Sequence, residues 1–178
     1  MIFNVAGLLK DEVGATRYYE LFGESVQDPD GSFTDIEASV RMLRTDRGIL
    51  VQAAIAGATK SDCARCLESA AVRLETDLEE EFFPMNPDLG IGSSLFRESV
   101  MDEAEETEFW IDEMNELDMS EAIRQALITV IPMAPLCRQD CEGICPECGS
   151  NRNHQACSCD TSYVDPRLAA LLDFKAVN

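Results

Sequence analysis

Basic side chains are scarce in this sequence. Fourteen Lys and Arg stand against 34 Asp and Glu in 178 residues, which gives a formal net charge of −20 and a pI near 4.2. Such a surface repels phosphate, so broad direct contact with DNA or RNA is disfavoured. It attracts a basic partner, for instance an RNA-binding protein before it meets its RNA. Histidine occurs once, as His154, so a Cys-His or Ser-His-Asp mechanism has a single candidate base. No apolar run approaches the ~20 residues of a membrane span. The longest, 126–136, is interrupted by Pro132 and Pro135. The opening stretch 1–10 lacks a basic lead and is closed by Asp11 and Glu12, unlike a secretory signal, so a cytoplasmic chain with no membrane contact is expected. Internal repeats, low-complexity linkers, and the phosphate-loop and dinucleotide fingerprints are also missing; Gly90-Ile-Gly92 is too short to count.

Cysteine, by contrast, is abundant. Eight cysteines in a chain without an export signal are expected to stay reduced, which favours metal binding over a disulfide framework. The sharpest pattern is Cys145-Pro-Glu-Cys148-Gly, followed by Cys157-Ser-Cys159. Two thiolates two residues apart, with Gly after the second, form a knuckle that aims both sulfurs at one ion. Four thiolates make a closed tetrahedral site, structural rather than catalytic, and zinc is the expected ion. His154 lies inside the intervening loop as an alternative ligand. Cys63-x2-Cys66 and Cys137-x3-Cys141 remain as a second candidate set that would hold another zinc ion and tie the tail to the body.

Competing chemistries fit less well. Cys141-x3-Cys145-x2-Cys148 has the spacing of a radical-SAM cluster loop, but the following chain is too short for the barrel which that chemistry uses. A thioredoxin-like role for Cys63 and Cys66 needs a βαβ setting and a helix N-terminus to lower a thiol pKa.

The patterning predicts an α+β protein. A strand-like apolar run covers 2–9, and Tyr18, Tyr19, Leu21 and Phe22 make another. Residues 35–42 alternate polar and apolar, 44–48 reads as a turn with Gly48 available for positive φ, and 49–56 follows as a partner strand. Residues 72–79 alternate again, and Phe109, Trp110 and Ile111 suggest one further short strand. These elements predict an antiparallel sheet or small open barrel, with a β-rich acidic body over 1–117. Residues 118–178 would then be a helix plus the zinc-binding cysteine tail, packed on the body as one compact domain. Asp118 or Ser120 can cap a helix that runs to Val130 and stops at Pro132, and Asp165-Pro166 can open a last one.

Residues 98–118 carry ten acidic side chains and no basic one. The plain reading is a solvated face. The sharper one is a docking surface for a Lys/Arg-rich partner, formed by Glu103, Glu105, Glu106, Glu108, Asp112 and Glu113, with Trp110 as anchor. The tail is less acidic: 137–178 nets −2, which leaves −18 on the first 136 residues.

Three segments together resemble the YceD family, the large ribosomal RNA subunit accumulation proteins. They are Cys63-Ala-Arg-Cys66-Leu-Glu, Glu79-Glu-Glu-Phe-Phe-Pro84, and Pro135-Leu-Cys-Arg-Gln-Asp-Cys-Glu-Gly-Ile-Cys-Pro-Glu-Cys-Gly149. Arg44–Val51 and Asp165–Leu172 fit as well, so the resemblance spans about 35 to 174. One departure is Arg152, where an apolar residue is expected between Asn151 and Asn153. The resemblance implies a role in synthesis, processing or stability of large-subunit ribosomal RNA, with no catalytic residues to carry over. Some members keep the first cysteine pair and lack the C-terminal cysteines, which implies that the tail metal is accessory. Combined with the charge, it suggests a non-enzymatic acidic adaptor for a basic ribosomal protein or assembly factor. The alternatives are a zinc-dependent RNA-binding module using Arg138, Arg152, Arg167 and Lys175, and a thiol redox protein using Cys63 and Cys66. Oligomeric state is not legible.

Overall fold

The computed structural model describes residues 1–29, 31–85, 109–159 and 167. The chain forms two compact units. The first comprises Met1–Ser61 and Ala71–Met133; the second comprises Asp62–Ala70 and Ala134–Asn178. By this division the helix after residue 117 falls in the first unit and the Cys63–Cys66 loop in the second.

The described elements of the first unit are β1 (Ile2–Asn4), α1 (Ala6–Lys10), β2 (Thr16–Asp28), β3 (Gly31–Arg44), β4 (Ile49–Asp62), β5 (Ser69–Pro84), β6 (Trp110–Ile111), β7 (Glu116–Asp118) and α2 (Ser120–Thr129), with the ends of β4 and β5 running into the second unit. They build one seven-stranded sheet in the order β1-β7-β6-β5-β4-β3-β2. The expected β3–β4 hairpin is present and longer than the alternation suggested, with Val40 opposite Ala53 and Met42 opposite Val51. Alternation does the sorting. Ile36, Ala38, Val40 and Met42 on β3, and Ile49, Val51, Ala53 and Ile55 on β4, all point into the core. Leu74, Leu78 and Phe82 of β5 join them, and Ala122, Ile123 and Leu127 of α2 complete the same cluster.

Three expectations need correction. The sheet is mixed, not antiparallel: β6 runs parallel to β5, with Phe83 opposite Trp110. Parallel neighbours cannot be joined by a tight turn and need a long connection. The run 2–9 is not one strand. Asn4 Oδ1 accepts the Ala6 N–H at 3.2 Å, and the chain then coils so that Leu8 and Leu9 are both buried from one helical turn. Finally, Gly48 is not at positive φ. It is required by close approach, because a Cβ there would sit 2.1 Å from the Phe82 carbonyl oxygen on β5.

That tight passage is fixed by polar groups. Thr45 Oγ1 accepts the Gly48 N–H at 2.8 Å and donates to Glu81 Oε1 at 2.6 Å. Buried Arg44 donates to the carbonyls of Leu9 and Gly48. At the start of α2 the N-cap is Met119, which offers no side-chain cap, while Asp118 Oδ1 accepts the Ser120 N–H at 2.9 Å. The helix ends at Thr129, ahead of Pro132. The expected last helix from Asp165, the loop around Gly90, and most of 98–118 lie outside the described residues.

Candidate metal centres

Both cysteine sets assemble within the second unit. Cys63-Ala-Arg-Cys66 turns so that the Leu67 N–H reaches the Cys63 carbonyl at 2.9 Å, with Leu67 at φ 61°. The Ala64 N–H donates to the Pro135 carbonyl at 2.8 Å, which lays 134–141 beside this turn. The Ile144 N–H donates to the Arg65 carbonyl at 3.0 Å, and the Arg65 guanidinium donates to the Cys141 carbonyl at 2.9 Å. Gly143 is at φ 74°, and a Cβ on it would meet Arg65 O at 3.0 Å, so only glycine lets the strand pass.

The result is a set of four sulfurs from residues far apart in sequence. Cys63 Sγ lies 3.8 Å from Cys141 Sγ, and Cys66 Sγ lies 3.6 Å from Cys137 Sγ. These separations exclude disulfides, whose sulfurs sit about 2.05 Å apart. They match the edge of a tetrahedron around an ion bound by four thiolates at about 2.3 Å, for which sulfurs are roughly 3.8 Å apart. Cys63, Cys66 and Cys141 are buried, and Cys137 is exposed.

Cys145, Cys148, Cys157 and Cys159 form the other set. In each set all four sulfurs lie within 4.8 Å of one another. The Cys145 N–H donates to the Ser150 carbonyl at 2.8 Å and the Gly149 N–H to the Cys145 carbonyl at 2.9 Å, which closes the knuckle with Gly149 at φ 72°. Both sets could therefore hold a metal ion, as the spacing of the second and the pairing of the first suggested. Four sulfurs per site leave no open position, so neither geometry suits a metal-bound substrate.

Backbone amides prepare the sulfurs for charge. N–H groups of Cys137 and Cys66 hold the Cys63 thiol down at about 6. N–H groups of Cys148 and Glu147 do the same for Cys145, also to about 6. Side-chain hydrogen bonds from Asn153 and Ser150 also lower Cys141 and Cys148, while other thiols resist. Cys159, facing the Cys148 sulfur, is pushed up to about 12, and Cys137, desolvated among its neighbours, likewise to about 12. Four negative sulfurs repel one another, and a divalent cation is the group that lets all four ionise together.

His154 belongs to neither set. Its Nε2 lies 2.7 Å from Glu68 Oε1. Arg152, the departure noted in sequence, has its guanidinium charge held by the Cys145 sulfur, so it faces a thiolate instead of an apolar neighbour. Cys63 and Cys66 are buried on the β4–β5 turn and not at a helix N-terminus, so the setting expected for a thioredoxin-like pair is not the one found.

The pattern of the YceD family, described as Large ribosomal RNA subunit accumulation protein YceD, matches residues 51–175. The chain belongs to the YceD family. An uncharacterised protein of Mycobacterium tuberculosis is 29% identical over 147 residues, covering 80% of this chain and 62% of that one. The chloroplastic Large ribosomal RNA subunit accumulation protein YCED homolog 1 of Arabidopsis thaliana is 28% identical over 155 residues, covering 77% and 47%. The chain thus spans about half to two thirds of the length of these curated relatives. No solved structure matches it.

The YceD chain also carries an acidic sheet face that sequence reading did not single out. The outward positions of β2 to β5 line a groove of about 510 Å³. It is lined by Glu20, Glu37, Glu75 and Asp77, by Ser39, Ala54 and Ala56, and by exposed Phe22, among others. The signal was the outward half of the same alternation that marked the strands. Of the acidic stretch, Glu103, Glu105, Glu106 and Glu108 lie outside the described residues. Trp110 is half-buried on β6, Asp112 Oδ1 accepts the N–H groups of Met114 and Glu116 at 2.9 and 2.7 Å, and Glu113 is exposed. No helix among the described residues is long and apolar enough to cross a membrane.

Proposed function

We propose that this chain is a non-enzymatic factor in the accumulation of large-subunit ribosomal RNA, acting as an acidic adaptor that holds a basic ribosomal protein or assembly factor. Family membership supports the pathway. The observation that supports the adaptor is the groove lined by Glu20, Glu37, Glu75 and Asp77 on a chain of net charge −20. Lysine and arginine side chains of a partner complement those carboxylates, and Phe22 offers an apolar contact. The acidic stretch with Glu103, Glu105, Glu106, Glu108, Trp110, Asp112 and Glu113 is a second part of the docking surface in this reading. Both sulfur sets hold zinc as a structural ion, and the protein works in the cytoplasm.

Direct RNA binding through the tail has less support. Arg138 is occupied by Asn153 Oδ1 at 2.8 Å and Asp140 at 3.4 Å, and Arg152 by the Cys145 sulfur. Arg138 and Arg152 therefore already have partners inside the unit.

The test is recovery of the tagged full chain from its own cells at low salt, with bound proteins and RNA identified by mass spectrometry and sequencing. Basic large-subunit proteins that leave when salt is raised several-fold support the adaptor, because exposed charge pairs are screened within about 8 Å at physiological ionic strength. A partner retained at high salt, or nuclease-sensitive recovery of ribosomal RNA, overturns it. Depleting the chain should lower large-subunit RNA relative to small-subunit RNA; an unchanged ratio removes the pathway assignment.

A further inference from the structure

We propose that Asn153 couples the two sulfur sites, so that metal in the Cys145 site organises the Cys63 site and the two ions load cooperatively. This rests on the reading that both sets hold a metal ion.

Asn153 sits in the loop that follows the Cys145–Cys148 knuckle, yet its side chain serves the other set. Its Nδ2 donates to Cys141 Sγ at 3.2 Å and to Asn151 Oδ1 at 2.8 Å. Its Oδ1 accepts the Glu142 N–H at 2.9 Å and the Arg138 guanidinium at 2.8 Å. Cys141 is thereby positioned by a residue whose own place is set by the second site. The Asn153 N–H donates to Asn151 Oδ1 at 2.9 Å, Asn151 bridges to Ile144, and the Arg152 N–H donates to the Gly143 carbonyl at 2.9 Å. The last two links join residues on either side of the knuckle that closes between Cys145 and Ser150.

The physical consequence follows from charge. Four thiolates around one divalent ion keep two surplus negative charges, and N–H donors to sulfur are the means of spreading them. Removing such an outer donor typically costs 10- to 100-fold in metal affinity. When the second site is empty, its loop keeps only single hydrogen bonds such as His154 to Glu68, and Asn153 presents Nδ2 to Cys141 for less of the time. Coupling between two binding events is reciprocal, so filling the Cys63 site must favour the Cys145 site by the same factor.

The test is a zinc titration of the metal-free, reduced full chain against a chromophoric chelator, with native mass spectrometry counting zero-, one- and two-zinc species. The expected result is a one-zinc species well below its statistical share. Asn153→Asp keeps the acceptor oxygen and the volume but loses the donor. It should let the one-zinc species accumulate and weaken one site by roughly 10- to 100-fold. Cys157→Ser, which opens the second site, should weaken the Cys63 site by the same factor. In the cobalt-loaded protein, Asn153→Asp should shift the thiolate-to-metal charge-transfer band of one ion only, a readout that general loosening would not confine to one site. A one-zinc species at statistical abundance in the unaltered chain, or equal affinities before and after Asn153→Asp, overturns the coupling while leaving two metal sites standing. A chain that never binds a second ion overturns the two-metal reading and the coupling with it.

Discussion

Stripping the metal should unfold the second unit and spare the first. Among its described residues the second unit buries little apolar surface: Cys63, Cys66 and Cys141 cluster with Leu136 packed beside them, and Ala70 and Cys145 are buried separately. Burying a few side chains of this size contributes on the order of 1 kcal/mol each. A structural zinc ion on thiolates contributes about 10–16 kcal/mol, so ions bound at these sites would outweigh the packing of the described side chains several-fold. The first unit has the opposite balance, with Ile36, Met42, Ile49, Val51, Phe82, Ile123 and Leu127 all fully buried. Hydrogen exchange read by mass spectrometry or NMR separates the two. After chelation under reducing conditions, the amides of Ile144, Gly149 and Arg152, each bonded across the sulfur sites, should exchange as in an open chain. Those paired between β3 and β4, such as Val40 and Val51, should keep their protection. Native protection of 141–154 in a chain verified to be metal-free with eight free thiols would refute the reasoning. So would loss of the β3–β4 protection at the same chelator concentration.

Gly48→Ala should destabilise the first unit by about 3 kcal/mol, since a 2.1 Å approach to the Phe82 carbonyl forces the turn away from β5. Thermal unfolding should fall by roughly 6–12 °C, and a loss under about 2 °C would show that the hairpin yields easily. Arg124 donates to Glu121 Oε2 at 2.8 Å and to Asp28 Oδ2 at 2.7 Å, which holds the Glu121 carboxyl below its usual 4.5. A lowered carboxyl pKa stabilises the fold above 4.5 and the contribution fades as pH falls below it. Arg124→Met should therefore flatten the stability profile on the acid side of about pH 5, by no more than about 1 kcal/mol for such partly exposed groups; an unaltered profile would count against the pair. Glu37→Lys with Asp77→Lys, on the outward sheet face, should weaken capture of a lysine-rich peptide several-fold at low salt, read by fluorescence anisotropy. Equal binding would move the docking surface elsewhere.

Much of this protein was legible without coordinates. Strand alternation over 35–42 and 72–79, the hairpin between β3 and β4, the helix before Pro132 and the knuckle at Cys145 are all local signals, written within a few residues of one another. The family resemblance likewise rested on short contiguous segments. What stayed hidden is non-local. The parallel placement of β6 beside β5 depends on where a crossover returns. The need for glycine at 48 arises from a backbone carbonyl on β5, and nothing in its own turn announces it. The acidic groove exists because four strands put Glu20, Glu37, Glu75 and Asp77 on one face, residues that no sequence window joins. The cysteines divide along the same line. Composition and spacing alone determined that this chain carries two pairs of thiol half-sites. Only the tertiary structure decided that the sulfurs of Cys63 and Cys66 gather with those of Cys137 and Cys141, and that Asn153 from the other loop donates to Cys141. A metal centre is a condition on distances between sulfurs of a few ångströms, and sequence separation does not fix distance.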